Sequence, residues 1–159
     1  MHKQLESYIQ ERIHLLNGEW IKKNSAYEKD ICKLLQMTED KGRYWDARWS
    51  GFFLEFKKGT SIWLDLVRYS EILSGCANVN NEEIYNLFFI PNKTRMRIDE
   101  VICVLTNDLI NKIGLSVADA NELIKLNKKL PHSLNAQASL TVKDIHTLMI
   151  FSVRNFHRY

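Results

Sequence analysis

Apolar and polar residues alternate along the segment Arg43 to Gly59, which reads RYWDARWSGFFLEFKKG. A period of two is typical of strands with one buried face, and Ser50-Gly51 separates two such runs. Gly has no Cβ and readily takes the positive φ that a two-residue hairpin turn requires. The segment therefore predicts a β-hairpin in which Trp49 pairs with Phe52.

The register of this hairpin brings two carboxylates together. Counting back from the turn places Asp46 opposite Glu55, and Lys57 lies one strand repeat further along the same face. Directly opposed side chains of like charge destabilise a strand pair. A hard divalent cation prefers oxygen ligands and would remove the repulsion, so the pattern predicts a metal site at Asp46 and Glu55.

A metal at this position suits phosphodiester hydrolysis. The cation would lower the pKa of a bound water and polarise a phosphoryl oxygen. Lys57 would orient the attacking water or stabilise negative charge in the transition state. The hairpin is therefore a candidate catalytic site with Asp46, Glu55 and Lys57 as its residues.

The rest of the chain carries the spacing of helices and one buried strand. Apolar residues three and four apart predict helices over 4–16, after Ser25, after Thr60 or Ser61, and from Ile98 to an end at Gly114. Capping boxes predict two further helices, at Ser116-x-x-Asp119 and Thr141-x-x-Asp144. The apolar run from Ile84 to Ile90 predicts a strand that Pro91 ends.

These elements predict an α/β fold in one domain, because 159 residues are enough to bury a substantial core. We expect an N-terminal helix over residues 1–17, an αβββαβ-type core over 25–97 and a helical part over 98–159. The fold class is then α/β with a helical C-terminal third.

Several cations are candidates for phosphate contacts. Arg48 and Lys58 flank the carboxylates of the hairpin, and Lys93, Arg95 and Arg97 lie in a loop at the end of the predicted buried strand. Arg and Lys in such a loop can contact the nucleic-acid backbone. Arg68, by contrast, is interpreted as a solvated or ion-paired residue.

Composition narrows the class of protein. With 45% hydrophobic and 26% charged residues the chain is typical of a soluble globular protein, and its net charge of +3 permits nucleic-acid binding without arguing for it. No apolar run approaches the ~20 residues of a membrane span, and the N-terminal sequence is too charged for a secretory signal. A cytoplasmic location is expected, and the three widely spaced cysteines are expected to be reduced.

Asp46, eight intervening residues and then Glu55-Phe56-Lys57 resemble the motif of the PD-(D/E)XK nucleases, which include type II restriction endonucleases. The resemblance covers about the first hundred residues, and Trp45 stands where the family usually has Pro. It implies a mixed sheet flanked by helices, dependence on Mg²⁺ with Mn²⁺ as a substitute, and products with 5′-phosphate and 3′-hydroxyl ends.

Glu28 has two interpretations. Ser25 and Glu28 have the spacing of a capping box, in which the Glu28 carboxylate accepts from the Ser25 backbone N–H. Glu28 also resembles the extra acidic residue that many of these nucleases provide from the helix before the sheet, which would make it a fourth catalytic residue.

The leading expectation is a restriction-type endonuclease that cuts double-stranded DNA as a homodimer and associates with no membrane. One alternative keeps the same site for a branched-DNA resolvase or repair nuclease, which would recognise DNA shape and backbone. Another is a non-catalytic nucleic-acid-binding or protein-interaction module, in which Arg43, Arg48 and Lys58 neutralise the carboxylates without metal.

Overall fold

A computed structural model of the chain describes residues 2–40, 42–80 and 83–156 and has an α/β fold. The helices are α1 (His2–Arg12), α2 (Glu28–Leu35), α3 (Leu66–Leu73), α4 (Thr106–Lys112), α5 (Val117–Lys129) and α6 (Val142–Leu148). The strands are β1 (Thr38–Glu39), β2 (Ala47–Trp49), β3 (Phe52–Lys58), β4 (Ser61–Asp65), β5 (Ile84–Asn92), β6 (Arg97–Leu105), β7 (Gln137–Thr141) and β8 (Phe151–Arg154). Short 3-10 turns at Ile13–Leu15 and Glu19–Lys22 follow α1.

Within the described part of the chain, six strands form one mixed sheet in the order β1-β2-β3-β5-β6-β8. Strands β1, β2 and β3 are antiparallel, β3 and β5 are parallel, and β5, β6 and β8 are again antiparallel. Strands β4 and β7 pair antiparallel in a separate two-stranded sheet. The parallel step from β3 to β5 is bridged by β4 and α3, a crossover that parallel pairing requires.

The predicted hairpin is confirmed. Trp49 pairs with Phe52, Arg48 with Phe53 and Ala47 with Leu54. Ser50 and Gly51 have φ values of 47° and 84°, as a type I′ turn requires. The hairpin joins β2 to β3 and lies beside the centre of the sheet.

Two layers cover the sheet and form two apolar cores. Helices α1 and α2 bury Leu5, Ile9 and Ile31 on one face, together with alternate residues of β3, β5 and β6. Strand β4 and helices α3, α4 and α6 bury the other face, where Tyr69 and Ile145 belong to the second core. Among the described residues, no helix is both long and apolar enough to cross a bilayer.

The helix predicted from Ile98 to its end at Gly114 is wrong over its first half, where Arg97–Leu105 is strand β6, whereas Thr106–Lys112 is helix α4. The spacing of Ile98, Val101, Ile102 and Leu105 fits a helix. Strand β6 lies between β5 and β8 and is buried on both faces, however, and such strands are apolar at nearly every position. With β7 and β8 also present, the C-terminal third is mixed and not helical.

The helix predicted from Thr60 or Ser61 begins later, at Leu66. Ser61–Asp65 is strand β4, with Ile62 and Leu64 buried against the sheet, and β7 is its antiparallel partner. Asp65 is the N-cap of α3 and accepts from the backbone N–H groups of Val67 and Arg68. The capping boxes at Ser116 and Thr141 are confirmed.

Candidate metal centre

Asp46 lies directly before the first residue of strand β2, close to Glu55 of β3. Regular pairing of β2 with β3 stops at Ala47, and the Asp46 backbone N–H donates to Leu54 O at 2.8 Å. The register counted from the turn predicted a regular pair between Asp46 and Glu55. This pair does not form. The side chain of Asp46 reaches across to β3 instead, where Oδ2 accepts from the Phe56 N–H at 2.7 Å, and this bond places the carboxylate beside Glu55.

Burial and the neighbouring carboxylate keep Glu55 protonated over an unusual range of pH. The residue is only 5% exposed. Burial raises the pKa of Glu55 well above 4.5, and the hydrogen bond and negative charge of Asp46 raise it further. Glu55 therefore keeps its proton to a higher pH than an exposed glutamate does.

Two cations lie beside this pair. Lys57 is half-buried on the same face of β3 as Glu55, and Arg68 Nη1 of α3 lies 3.7 Å from Glu55 Oε2. Their charges lower the pKa of Glu55, but less than burial and Asp46 raise it. Lys57 thus lies on the face of β3 that the alternation predicted, and the guanidinium of Arg68 lies next to the Glu55 carboxyl group.

A network of buried polar groups lies next to Glu55. Asn86 is the register partner of Glu55 on β5 and is 1% exposed. Tyr69 Oη donates to Asn86 Oδ1 at 2.9 Å, and Asn86 Nδ2 donates to Val104 O at 3.2 Å and to Thr106 Oγ1 at 2.8 Å. These bonds tie α3, β5, β6 and α4 together directly beside Glu55.

Tyr27 and Cys32 of the neighbouring layer remain neutral. Burial raises the pKa of Tyr27 to about 12, and its hydroxyl accepts from the Lys58 N–H at 3.0 Å. Burial likewise raises the pKa of Cys32 to about 12, with smaller contributions from nearby carboxylates including Asp46. Neither residue supplies an anionic ligand or nucleophile at neutral pH.

Glu28 does not form the predicted capping box. The N-cap of α2 is Tyr27, which makes no side-chain capping bond, and Glu28 is the first helical residue. The chain turns at Ala26, whose φ is 58°, so the helix begins later than Ser25 would place it. No group of three His, Cys, Asp or Glu side chains in residues 2–40, 42–80 and 83–156 is arranged to hold a metal, so Glu28 does not complete such a group with Asp46 and Glu55.

The five cations predicted to contact DNA have different surroundings. Arg48 Nε pairs with Asp40 at 3.1 Å, and Arg97 Nε pairs with Asp99 at 2.9 Å. Lys58 Nζ donates to Ile21 O at 2.8 Å and lies 5.1 Å from the centre of the Tyr27 ring. Burial and then the charge of Lys93 lower the pKa of Lys58. Lys93 and Arg95 are exposed in the turn between β5 and β6.

Sequence reasoning missed Asn86, Tyr69 and the position of Arg68 beside Glu55. A signal for Asn86 existed, since it is the only amide side chain in the apolar run IYNLFFI and must find partners once buried. Tyr69 was expected only as part of an apolar stripe. Arg68 had no local signal, because its approach to Glu55 depends on how α3 packs against the sheet.

Glu55→Gln is expected to stabilise the metal-free protein increasingly as the pH rises above about 4.5. A carboxyl group whose pKa is raised in the folded state adds stability below its unfolded pKa of about 4.5, and this stability is lost as the pH rises through the folded pKa. Gln has the same shape as Glu and stays neutral at every pH. Urea denaturation in EDTA between pH 5 and pH 8 measures the difference.

The control for this experiment is Glu122→Gln, which changes the same chemical group on an 80% exposed side chain. Its free energy of unfolding should depend on pH in the same way as that of the wild type. A Glu55→Gln profile parallel to that of the wild type would contradict the assignment of Glu55 as a buried, protonated acid.

Asp46, Glu55 and Lys57 therefore come together as two adjacent carboxyl groups with a cation on the same face, backed by a rigid polar network. The pair presents hard oxygen atoms, and one oxygen of Asp46 is already held by a backbone N–H. No protein-family model matches the sequence, and no curated protein matches it significantly.

Proposed function

We propose that this protein is a magnesium-dependent endodeoxyribonuclease that hydrolyses phosphodiester bonds in double-stranded DNA. The observation that carries the proposal is that the bond from the Phe56 N–H holds the Asp46 carboxylate beside Glu55, whose side chain is buried in a residue only 5% exposed. Two carboxyls brought together in an apolar setting share a proton or bind a cation, since both cannot ionise alone there. A fold that needed only stability would favour an apolar pair at this position.

The residues fit Mg²⁺ as the cation. Mg²⁺ is usually held by one or two carboxylates and completes its shell with waters and substrate phosphate oxygens. Asp46 and Glu55 would be its protein ligands, with Mn²⁺ accepted in its place. When bound, the ion supplies positive charge that activates a water and polarises the phosphoryl group.

The chain's own residues position the reaction. The Phe56 N–H fixes one oxygen of Asp46, and the register of β3 with β5 fixes Glu55 beside Asn86. Lys57, half-buried on the face of Glu55, orients the attacking water and offsets the negative charge of the transition state. The apolar side chains around Glu55 exclude bulk water, which strengthens each of these interactions.

The order of elements supports a restriction-endonuclease-like core within this proposal. Helix α2 precedes the antiparallel strands β1, β2 and β3, and after β4 and α3 the chain returns to β5, parallel to β3. Apart from the inserted β4, this is the expected αβββαβ order over residues 25–97. Lys93 and Arg95, exposed near Lys58, would contact backbone phosphates.

The proposal includes restriction-type cleavage by a homodimer, because cutting both strands of a duplex needs two copies of a single site. Incubation of the wild-type protein with linear plasmid and with a four-way junction, in Mg²⁺ or Mn²⁺, tests the reaction. Discrete plasmid fragments are expected. Preferential cleavage of the junction would indicate a resolvase, and no cleavage of either DNA would overturn the proposed function.

Mg²⁺ is expected to stabilise the folded wild-type protein, because the ion binds the folded carboxylate pair and not the unfolded chain. At a concentration about 100 times its dissociation constant, the gain in free energy of unfolding is about 2.7 kcal/mol. Thermal unfolding at pH 7.5 with increasing Mg²⁺ measures it. Glu55→Gln is the matched variant that should lose the effect, and an equal shift in that variant would mean that the ion binds elsewhere.

A further inference from the structure

Arg68 is held in an incompletely paired state beside the carboxylates. Its Nη1 lies 3.7 Å from Glu55 Oε2, which is longer than a hydrogen bond. Its Nε is buried, and no described residue offers that atom a hydrogen-bond acceptor. A buried donor without an acceptor destabilises a folded protein, so the guanidinium has hydrogen-bonding capacity that the protein itself does not use.

Contacts of α3 on either side of Arg68 hold its side chain next to the site. Asp65 caps α3 and accepts from the Arg68 N–H at 3.3 Å, which fixes the first turn of the helix. The next residue, Tyr69, is anchored to Asn86 beneath the sheet. About a third of the Arg68 side chain is exposed, at 32%, so its tip can be reached from outside while its stem is fixed.

We infer that Arg68 is a substrate-binding residue of this site and donates hydrogen bonds to the oxygens of the DNA phosphate that lies against Asp46 and Glu55. The inference rests on the proposed function. It adds to the site a second positively charged side chain, that of Arg68 on α3, besides that of Lys57 on β3. A guanidinium matches a phosphate with two parallel N–H donors, which the point charge of Lys57 cannot do.

The neighbouring Arg43 provides a matched comparison. It also contacts α3, but its Nε donates to Glu71 Oε1 at 2.7 Å and its Nη2 lies 2.5 Å from the same oxygen. Its guanidinium is thus already paired with a carboxylate. Arg43→Met and Arg68→Met each remove one positive charge near α3, and only the second removes the incompletely paired donors.

The test measures DNA binding and cleavage by the two variants. Binding of a fluorescent duplex in Ca²⁺, which should support binding with slowed cleavage, is followed over a range of salt. Arg68→Met is expected to lower the magnitude of the slope of log K against log salt by about 0.9, as the loss of one phosphate contact does. It should also lower kcat/KM in Mg²⁺ by about 10- to 100-fold, the range for a charge-assisted hydrogen bond. Arg68→Lys should recover the salt slope but only part of kcat/KM.

A purely structural role for Arg68 would lower stability without changing the salt slope, and that result would overturn the inference. Mn²⁺ affinity, measured by calorimetry, should stay close to wild type in both Arg68 variants and shows that the carboxylate pair is intact. Wild-type values of slope and kcat/KM in Arg68→Met would also overturn it. If the wild type itself cleaves no DNA in Mg²⁺, the proposed function fails. If the wild type is active and Arg68→Met is equally active, only the inference about Arg68 fails.

Discussion

Asp46→Asn and Glu55→Gln are each expected to lower the rate of Mg²⁺-dependent DNA cleavage by about 10³-fold or more while leaving the protein folded. Metal catalysis contributes several kcal/mol of transition-state stabilisation, and every ~1.4 kcal/mol corresponds to a factor of ten in rate. Asn can still accept from the Phe56 N–H, and Gln keeps the size and shape of the Glu55 side chain, so both substitutions should leave the fold intact. Single-turnover cleavage of plasmid DNA measures the loss.

The control for Asp46→Asn is Asp40→Asn, which changes the same chemical group on a nearby residue. The Asp40 carboxylate accepts from Trp45 Nε1 at 2.8 Å and pairs with Arg48, so its partners differ from those of the Asp46 carboxylate. Activity within about threefold of the wild type is expected for Asp40→Asn. If Asp46→Asn or Glu55→Gln kept full cleavage activity, the carboxylate pair would not be the catalytic site.

Asn86→Leu is expected to lower the free energy of unfolding by about 2 to 5 kcal/mol, the largest stability effect among the polar residues near the site. Leu has a similar volume but no donor or acceptor. The substitution leaves Tyr69 Oη without its acceptor and removes the two bonds that Asn86 Nδ2 donates to β6 and Thr106. Each buried polar group left without a partner destabilises by about 1 to 3 kcal/mol. Urea denaturation at pH 7 measures the change.

Asn92 lies on the same strand and provides the comparison for Asn86. It is half-buried, and its Nδ2 donates to Asp99 Oδ2 at 3.0 Å near the turn into β6. Asn92→Leu should destabilise by no more than about 1.5 kcal/mol, because water can replace the lost partner. A loss for Asn86→Leu as small as that for Asn92→Leu would show that the buried network contributes little.

Local sequence was sufficient for the hairpin and its immediate chemistry. Positive φ at Ser50 and Gly51 and the alternation on either side determine which residues of β2 and β3 face each other. The shared face of Glu55 and Lys57 follows from that register, and the register brings Asp46 to the part of β3 that contains Glu55. The capping boxes at Ser116 and Thr141 were equally predictable, because a cap is decided within four residues of the chain.

Pairing between distant segments explains why strands β4 and β6 were predicted as helices. Strand β6 carries apolar residues at helical spacing, and only its position between β5 and β8 makes it extended. Strand β4 was predicted as helix, because its partner β7 is distant in the chain. Ser61, for example, pairs with Thr141, 80 residues further along. Local propensity is a weak guide where tertiary pairing satisfies the backbone.

By itself, the sequence determined the β2–β3 hairpin, the face on which Asp46, Glu55 and Lys57 lie, and several helix starts, since each depends on steric and hydrogen-bonding preferences of neighbouring residues. Only the tertiary structure decided that regular pairing ends at Ala47 and that Asp46 bonds across to Phe56. It also decided that Arg68 and Asn86 surround Glu55. Burial of a charged group and the approach of side chains from separate elements depend on how whole layers pack, and no short stretch of the chain contains that information.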